Sequence, residues 1–142
     1  AYIMHLGFFI VLFLYGPHIP LFQSFLGFGW PALPSGAINA IGAVTILSIF
    51  AALIFRLNSK VLSFLTTTGD YVAWLVTLLP VLTGFLAYNH MLLPYTLMLA
   101  LHILSVELLM VVAPFTKLTH MFSFVTARWY QGYKAGQRGV ES

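Results

Sequence analysis

Four apolar stretches dominate this sequence, and each approaches the roughly 20 residues that a helix needs to cross a bilayer. They run over residues 2–22, 37–55, 71–88 and 94–124. Charged residues make up only 6% of the 142-residue chain, whereas soluble proteins carry about a quarter. We therefore predict an all-α integral membrane protein, a bundle of four transmembrane helices without a soluble domain.

The two ends of the chain support this division. No Lys or Arg precedes the first stretch and no small-residue cleavage site follows it, so residues 2–22 are interpreted as a retained membrane span and not as a signal peptide. From Arg128 onward the sequence becomes polar and glycine-rich. We expect residues 128–142 to form a frayed polar tail on the cytoplasmic side.

The positive charges predict the orientation of the bundle. Basic residues near the ends of membrane helices favour the cytoplasmic side. With four spans and a cytoplasmic N-terminus, every Lys and Arg of the chain falls on that side, and the two outer connections carry none. The expected topology is N-in and C-in, in the inner membrane of a prokaryote. The Lys and Arg residues placed on the cytoplasmic side are Arg56, Lys60, Lys117, Arg128, Lys134 and Arg138.

Four histidines pair by depth in this topology. The first and fourth helices run antiparallel, which sets His5 level with His120 near the cytoplasmic side and His18 level with His102 near the outer side. Ionisable residues inside a membrane are costly and are functional by default. Neutral imidazole is a strong axial ligand of haem iron, and bundle cores hold such sites. The pattern predicts two b-type haems, with these four residues as iron ligands.

The spacing of the histidines differs between the two helices. His102 and His120 are eighteen residues apart, so on one regular helix they share a face and lie about 27 Å apart. His5 and His18 are thirteen residues apart, which corresponds to about 20 Å and about 140° of rotation on a regular helix. The run GPHIP at residues 16–20 predicts a helix break at His18, and Pro114 predicts a kink between His102 and His120.

Several other polar residues leave alternatives open. His90 and Glu107 are candidates for quinone binding or proton transfer, but the sequence favours a solvated turn histidine and a carboxylic acid bonded to a neighbouring helix. Asp70 is expected in the first turn of the third span. The basic residues of the cytoplasmic face either dock an acidic partner or only signal topology.

The last span resembles a known family. Residues 113–123, APFTKLTHMFS, resemble the signature P-F-[ST]-[KR]-L-x-H-x-[WF]-S that ends the last helix of respiratory nitrate reductase gamma subunits. His102 matches the position of that family's other ligand on this helix. Residues 66–71, TTTGDY, are similar to the start of its penultimate helix, and the similarity covers most of residues 36–125. The chain is also similar to cytochrome b subunits of heterodisulfide-reductase-like and sulfite-reduction-associated complexes.

This resemblance implies a function. It indicates a di-haem cytochrome b that exchanges electrons between the quinone pool and an iron–sulfur subunit, itself joined to a catalytic subunit. It implies no catalytic residue in this chain and no nucleic-acid partner. The family pattern has five helices and a shorter His–His spacing on the first ligand helix, and this sequence departs from both.

Two other classes of function remain open from the residues alone. One is a haem-poor membrane anchor with the same fold, and the other is a small proton-coupled transporter that uses Glu107 and His90. The absence of Cys excludes disulfides, thiolate-ligated iron–sulfur clusters and a covalent c-type haem held by this chain alone. The iron–sulfur cluster that the resemblance implies is accordingly expected in a partner subunit.

Overall fold

The computed structural model of the chain describes residues 2–139, without the side chains of residues 121 and 122, and this range contains helices but no strand. Short 3-10 helices at Gly16–His18, Ala113–Phe115 and Lys117–Thr119 interrupt the α-helices. In chain order the α-helices are α1 (Tyr2–Leu14), α2 (Ile19–Leu26), α3 (Ser35–Asn58), α4 (Lys60–Phe64), α5 (Thr68–Tyr88), α6 (Tyr95–Val112) and α7 (His120–Gln137).

Three segments are long and apolar enough to cross a membrane: α3, α5 and residues Tyr95–Phe115. A fourth candidate consists of α1 and the segment Gly16–Leu26, which meet at an angle of 62°. The all-helical class is thus confirmed, with three spanning helices in the described residues, or four if the bent pair is counted as one span. Large apolar side chains are exposed along these helices, as expected where lipid is the solvent.

The helices follow one another around the bundle. α3 packs against α1 and α5, and α5 packs against α6, whereas close backbone contact between α1 and α6 is sparse. The buried centre lies between α3 and α5 and contains Ile46, Ile49, Leu78 and Val81. The bundle is therefore closely packed on one side and has a seam between α1 and α6.

Gly7 brings α1 close to α3. A Cβ atom at this position would collide with Oγ1 of Thr45. Thr45 is fully buried, and its hydroxyl donates a hydrogen bond of 2.7 Å to the carbonyl oxygen of Ile41. Small residues of this kind allow the backbones of membrane helices to approach each other.

The expectation of one regular helix through His102 and His120 is wrong. Regular α-helix ends at Val112, and two short 3-10 helices precede α7. Pro114 has no N–H to donate to the preceding turn, and Thr116 has extended backbone angles, φ −125° and ψ 177°. Oγ1 of Thr116 then accepts a hydrogen bond from the N–H of Leu118 and so caps the next turn. The five-turn register between the two histidines therefore does not apply.

The expected frayed tail is also corrected. Residues up to Gln137 belong to α7, although Gly132 and Gly136 lie within it. Its other residues include good helix formers such as Ala, Arg, Lys and Gln, which offset the cost of the two glycines. The last part of the predicted tail, residues 140–142, lies outside the described residues.

Candidate functional site

His18 and His102 face each other across the seam between α1 and α6. Their ring centres are 6.1 Å apart, and their planes differ by only 12°. Both side chains are partly buried. The ring of Tyr15 stands edge-on to that of His18, with centres 5.0 Å apart, and also contacts the ring of Tyr88. One end of the seam is thus lined by two imidazoles and two phenols.

The break after α1 positions His18. Pro17 provides no N–H, and the chain turns through a 3-10 helix instead of continuing α1. Nδ1 of His18 then lies 3.0 Å from the carbonyl oxygen of Leu12 and 3.2 Å from that of Val11. Because a carbonyl oxygen only accepts, Nδ1 carries the proton and donates it. In a neutral imidazole, the lone pair is then on Nε2.

The last two carbonyl groups of α1, those of Phe13 and Leu14, accept hydrogen bonds from the loop that precedes α3. A helix end leaves four carbonyl groups without intrahelical donors. That of Phe13 accepts a hydrogen bond of 2.7 Å from Nε1 of Trp30, and that of Leu14 accepts one of 3.0 Å from the N–H of Leu33. The loop before α3 is therefore fastened to the end of α1, which stabilises the backbone that holds the imidazole.

His102 is held by α5. Nδ1 of His102 lies 3.2 Å from Oγ1 of Thr83, and this hydroxyl directs its own proton to the carbonyl oxygen of Leu79 at 2.7 Å. The Thr83 oxygen is then the acceptor for the Nδ1 proton. Ser105 lies 3.1 Å from the same oxygen. The ring rests over Gly84, where no side chain intervenes.

The second pair joins α1 to the start of α7, and both of its residues are exposed. The ring centres of His5 and His120 are 6.1 Å apart, and their planes are inclined by 71°. Nδ1 of His120 donates a hydrogen bond of 2.7 Å to the carbonyl oxygen of Lys117, because that oxygen has no proton to give. Here again the bond leaves Nε2 with the lone pair.

Asp70 anchors the segment that carries His120. Its carboxylate lies 2.8 and 2.9 Å from Nζ of Lys117, and 3.1 Å from the guanidinium of Arg56. It also accepts hydrogen bonds from the backbone and hydroxyl of Thr67, forming the capping box of α5. The early-turn position predicted for Asp70 is confirmed, and the residue additionally joins α3, α5 and the turn before His120.

The spacing of both pairs suits two axial ligands of one metal ion. An imidazole nitrogen binds a metal at about 2.0 Å, with the ring centre about 1 Å behind it, so ligands on opposite sides have ring centres roughly 6 Å apart. Both measured separations are 6.1 Å. Ligating histidines usually donate the other ring N–H to a carbonyl or similar acceptor, as Nδ1 of His18 and His120 does.

Within residues 2–139, no group of three or more His, Cys, Asp or Glu side chains is placed to hold a metal ion. A bis-imidazole haem does not require such a group, because the porphyrin supplies the remaining four ligands of the iron. The lack of such a group is therefore compatible with a bis-imidazole haem at either pair.

The structure separates His90 and Glu107 from both pairs. His90 is exposed in the turn after α5, has left-handed backbone angles (φ 53°), and contacts the ring of Tyr95 at 5.2 Å. Leu92 in the same turn also has positive φ, at 68°. Glu107 lies on the exposed face of α6, and no helix in the described part of the chain bonds to it. The expected bond between Glu107 and a neighbouring helix is therefore absent there.

Sequence comparisons give little functional information about this arrangement. The chain is 36% identical over 132 residues to a protein of Nitratidesulfovibrio vulgaris (strain Hildenborough) whose name specifies no function. The match covers 92% of this chain but only 58% of that protein, so the chain spans less than two thirds of its relative's length. No protein-family model matches the chain, and no solved structure matches it.

Proposed function

We propose that this chain is a di-haem b-type cytochrome, the membrane subunit of a respiratory oxidoreductase in a prokaryotic inner membrane. The proposal rests on one observation: His5 and His120 form one imidazole pair and His18 and His102 form another, each with ring centres 6.1 Å apart. The sparse contact between α1 and α6 supports it further, because a planar macrocycle needs such a seam.

Each haem would be held by one histidine from each side of the seam. His18 and His102 would bind one iron through Nε2, and His5 and His120 would bind the other. When bound, haem supplies reversible one-electron transfer. Hydrogen bonds from Nδ1 of His18, His102 and His120 would fix the orientation of these imidazoles.

The proposed topology has four spans with both termini in the cytoplasm. Arg56, Lys117 and Asp70 then cluster at the cytoplasmic end, beside the His5–His120 pair. This basic end is the proposed docking side for an iron–sulfur subunit and, beyond it, a catalytic subunit. The proposed quinone site lies towards the outer pair, with His90 and Glu107 as candidate proton-transfer groups.

A reduced-minus-oxidised spectrum of the purified protein tests this proposal, together with a pyridine haemochrome assay per chain. We expect the alpha band of a b-type cytochrome and two haems per chain. A chain with no such band in its native complex would contradict the proposal and favour the transporter. A band that persists unchanged after His18 and His102 are both replaced would favour the haem-poor anchor.

A further inference from the structure

α7 extends from the cytoplasmic-side end of the bundle with little support from it. Its closest packing is against the adjoining 3-10 helix, Lys117–Thr119. From Ser123 to Gly139 every side chain except that of Ala135 is exposed. A helix of this length is marginal in water without a surface against which to pack. The described residues of the chain do not provide that surface.

One side of α7 is an apolar stripe made of Val125, Trp129 and Tyr133. These residues are four apart and spread over only about 80° of the helix. Their exposed fractions are 73%, 71% and 53%. The rings of Trp129 and Tyr133 are stacked, with centres 5.9 Å apart and planes inclined by 12°. The stripe is therefore an exposed apolar surface that contains a stacked aromatic pair.

The other side of α7 carries a basic stripe made of Arg128, Lys134 and Arg138, within which the exposed side chain of Phe124 also lies. Its centre lies about 170° around the helix from that of the apolar stripe. No Asp or Glu occurs between residues 120 and 139, so these charges are not neutralised within the helix. Cations on one face and Trp on the other are typical of helices that lie in the plane of a membrane interface.

We propose that α7 binds a membrane surface that contains anionic phospholipid, with the apolar stripe at the level of the headgroups. An acidic protein docked on the basic stripe would leave Trp129 and Tyr133 in water. A lipid surface accommodates both stripes, because Trp and Tyr are favoured at the interface and each Lys or Arg strengthens binding to anionic lipid about fivefold. This inference does not depend on haem.

The test uses the full chain in lipid nanodiscs of phosphatidylcholine, with and without phosphatidylglycerol, made from acyl-brominated lipids that quench tryptophan. The fluorescence of Trp129 is obtained by subtracting the signal of Trp129→Phe. We expect strong quenching in anionic discs and several-fold less when Arg128, Lys134 and Arg138 are all changed to Gln. High salt should have the same effect as this triple substitution.

Gln131→Asn provides the matched control, because it alters the basic side of α7 without changing its charge. It should leave the quenching unchanged. Unchanged emission from Trp30 and Trp74 would show that each variant is folded. Quenching that is absent, or that is equal in both lipids and retained by the triple variant, would overturn the proposal. If Trp129 is shielded from the lipid quencher only in discs that hold two copies of the chain, the proposal would also be overturned. The apolar stripe would then be assigned to a dimer contact.

Discussion

The imidazole of His102 lies directly against the backbone of Gly84. A Cβ atom at residue 84 would be 2.9 Å from Cε1 of His102 and 3.2 Å from its Nδ1. Real Cβ atoms essentially never approach other atoms to within 3.0 Å, so no larger residue fits here while the ring keeps its place. Gly84 therefore sets the position of the imidazole that faces His18.

Gly84→Ala should displace the His102 ring and lower the haem occupancy of the His18–His102 pair. Overpacking of this kind typically costs about 1–3 kcal/mol. Haem content per chain and the midpoint potentials of the purified variant measure the effect. Gly42→Ala is the control, because its Cβ would lie 3.7 Å from the Phe85 ring, an ordinary contact. Equal haem loss in both variants would mean that His102 is not the affected group.

Thr83→Val should weaken the same site without crowding it. The substitution removes the acceptor of the His102 Nδ1 proton, and loss of such a partner commonly costs about 10–100-fold in metal affinity. The imidazole also becomes a poorer electron donor, so the midpoint potential of this haem should rise. Haem retention during dilution and a redox titration provide the measurements.

Thr77→Val is the matched control for Thr83. Thr77 lies on the same helix, and its hydroxyl donates a hydrogen bond of 2.7 Å to the carbonyl oxygen of Ala73. The hydroxyl of Thr83 donates one of the same length to the carbonyl oxygen of Leu79. It should leave both haem potentials unchanged. A Thr83 variant indistinguishable from the Thr77 variant would remove the role assigned to the hydroxyl.

Asp70→Asn should perturb the haem proposed at His5 and His120 and spare the one proposed at His18 and His102. The change removes the negative charge that holds Lys117 and Arg56, while an amide oxygen remains to accept from Thr67. The turn before His120 then loosens. We expect a shifted potential and faster haem loss for this site alone.

Lys60→Gln is the control for Asp70, since Lys60 makes no ion pair within residues 2–139. Asp70→Asn raises the net charge by one and Lys60→Gln lowers it by one, at the same end of the bundle. If the two variants shift the potential of the proposed inner haem by similar amounts in opposite directions, the effect is one of net charge and the positioning role of Asp70 is wrong.

Single substitutions of the histidines should separate the two sites. His18→Phe and His102→Phe should each remove the outer haem, leaving one haem per chain, and His5→Phe should remove the inner one. His90→Phe should leave two, since His90 is exposed in a turn and belongs to neither pair. Pyridine haemochrome analysis measures each outcome. Full haem content in His102→Phe would exclude it as a ligand.

Hydropathy predicted the helical class, and depth along the apolar stretches was the basis for associating His18 with His102. These features follow from the cost of placing polar groups in lipid, which any single sequence displays. The rings are adjacent in the structure. Their role as iron ligands remains a prediction.

The contacts around His102 could not be predicted in the same way. Thr83 and Gly84 reach it only because α5 and α6 are paired in one particular register, set by a turn in which His90 and Leu92 have positive φ. His is enriched among the residues that adopt left-handed backbone, but Leu is not, so the pattern at residues 90–92 does not predict this turn. Likewise, Pro114 predicted a kink, but not the extended conformation of Thr116 that ends the 3-10 helix Ala113–Phe115.

Electron paramagnetic resonance of the oxidised protein tests the central claim most directly, because it reports the axial ligands of each ferric haem. The imidazole planes of His18 and His102 are nearly parallel, at 12°, and those of His5 and His120 are steeply inclined, at 71°. Parallel planes split the iron d orbitals more than crossed planes do. We predict two low-spin signals, a rhombic one lost in His18→Phe and a strongly anisotropic one lost in His120→Phe. The absence of low-spin ferric haem, or two signals that survive both substitutions, would contradict the account.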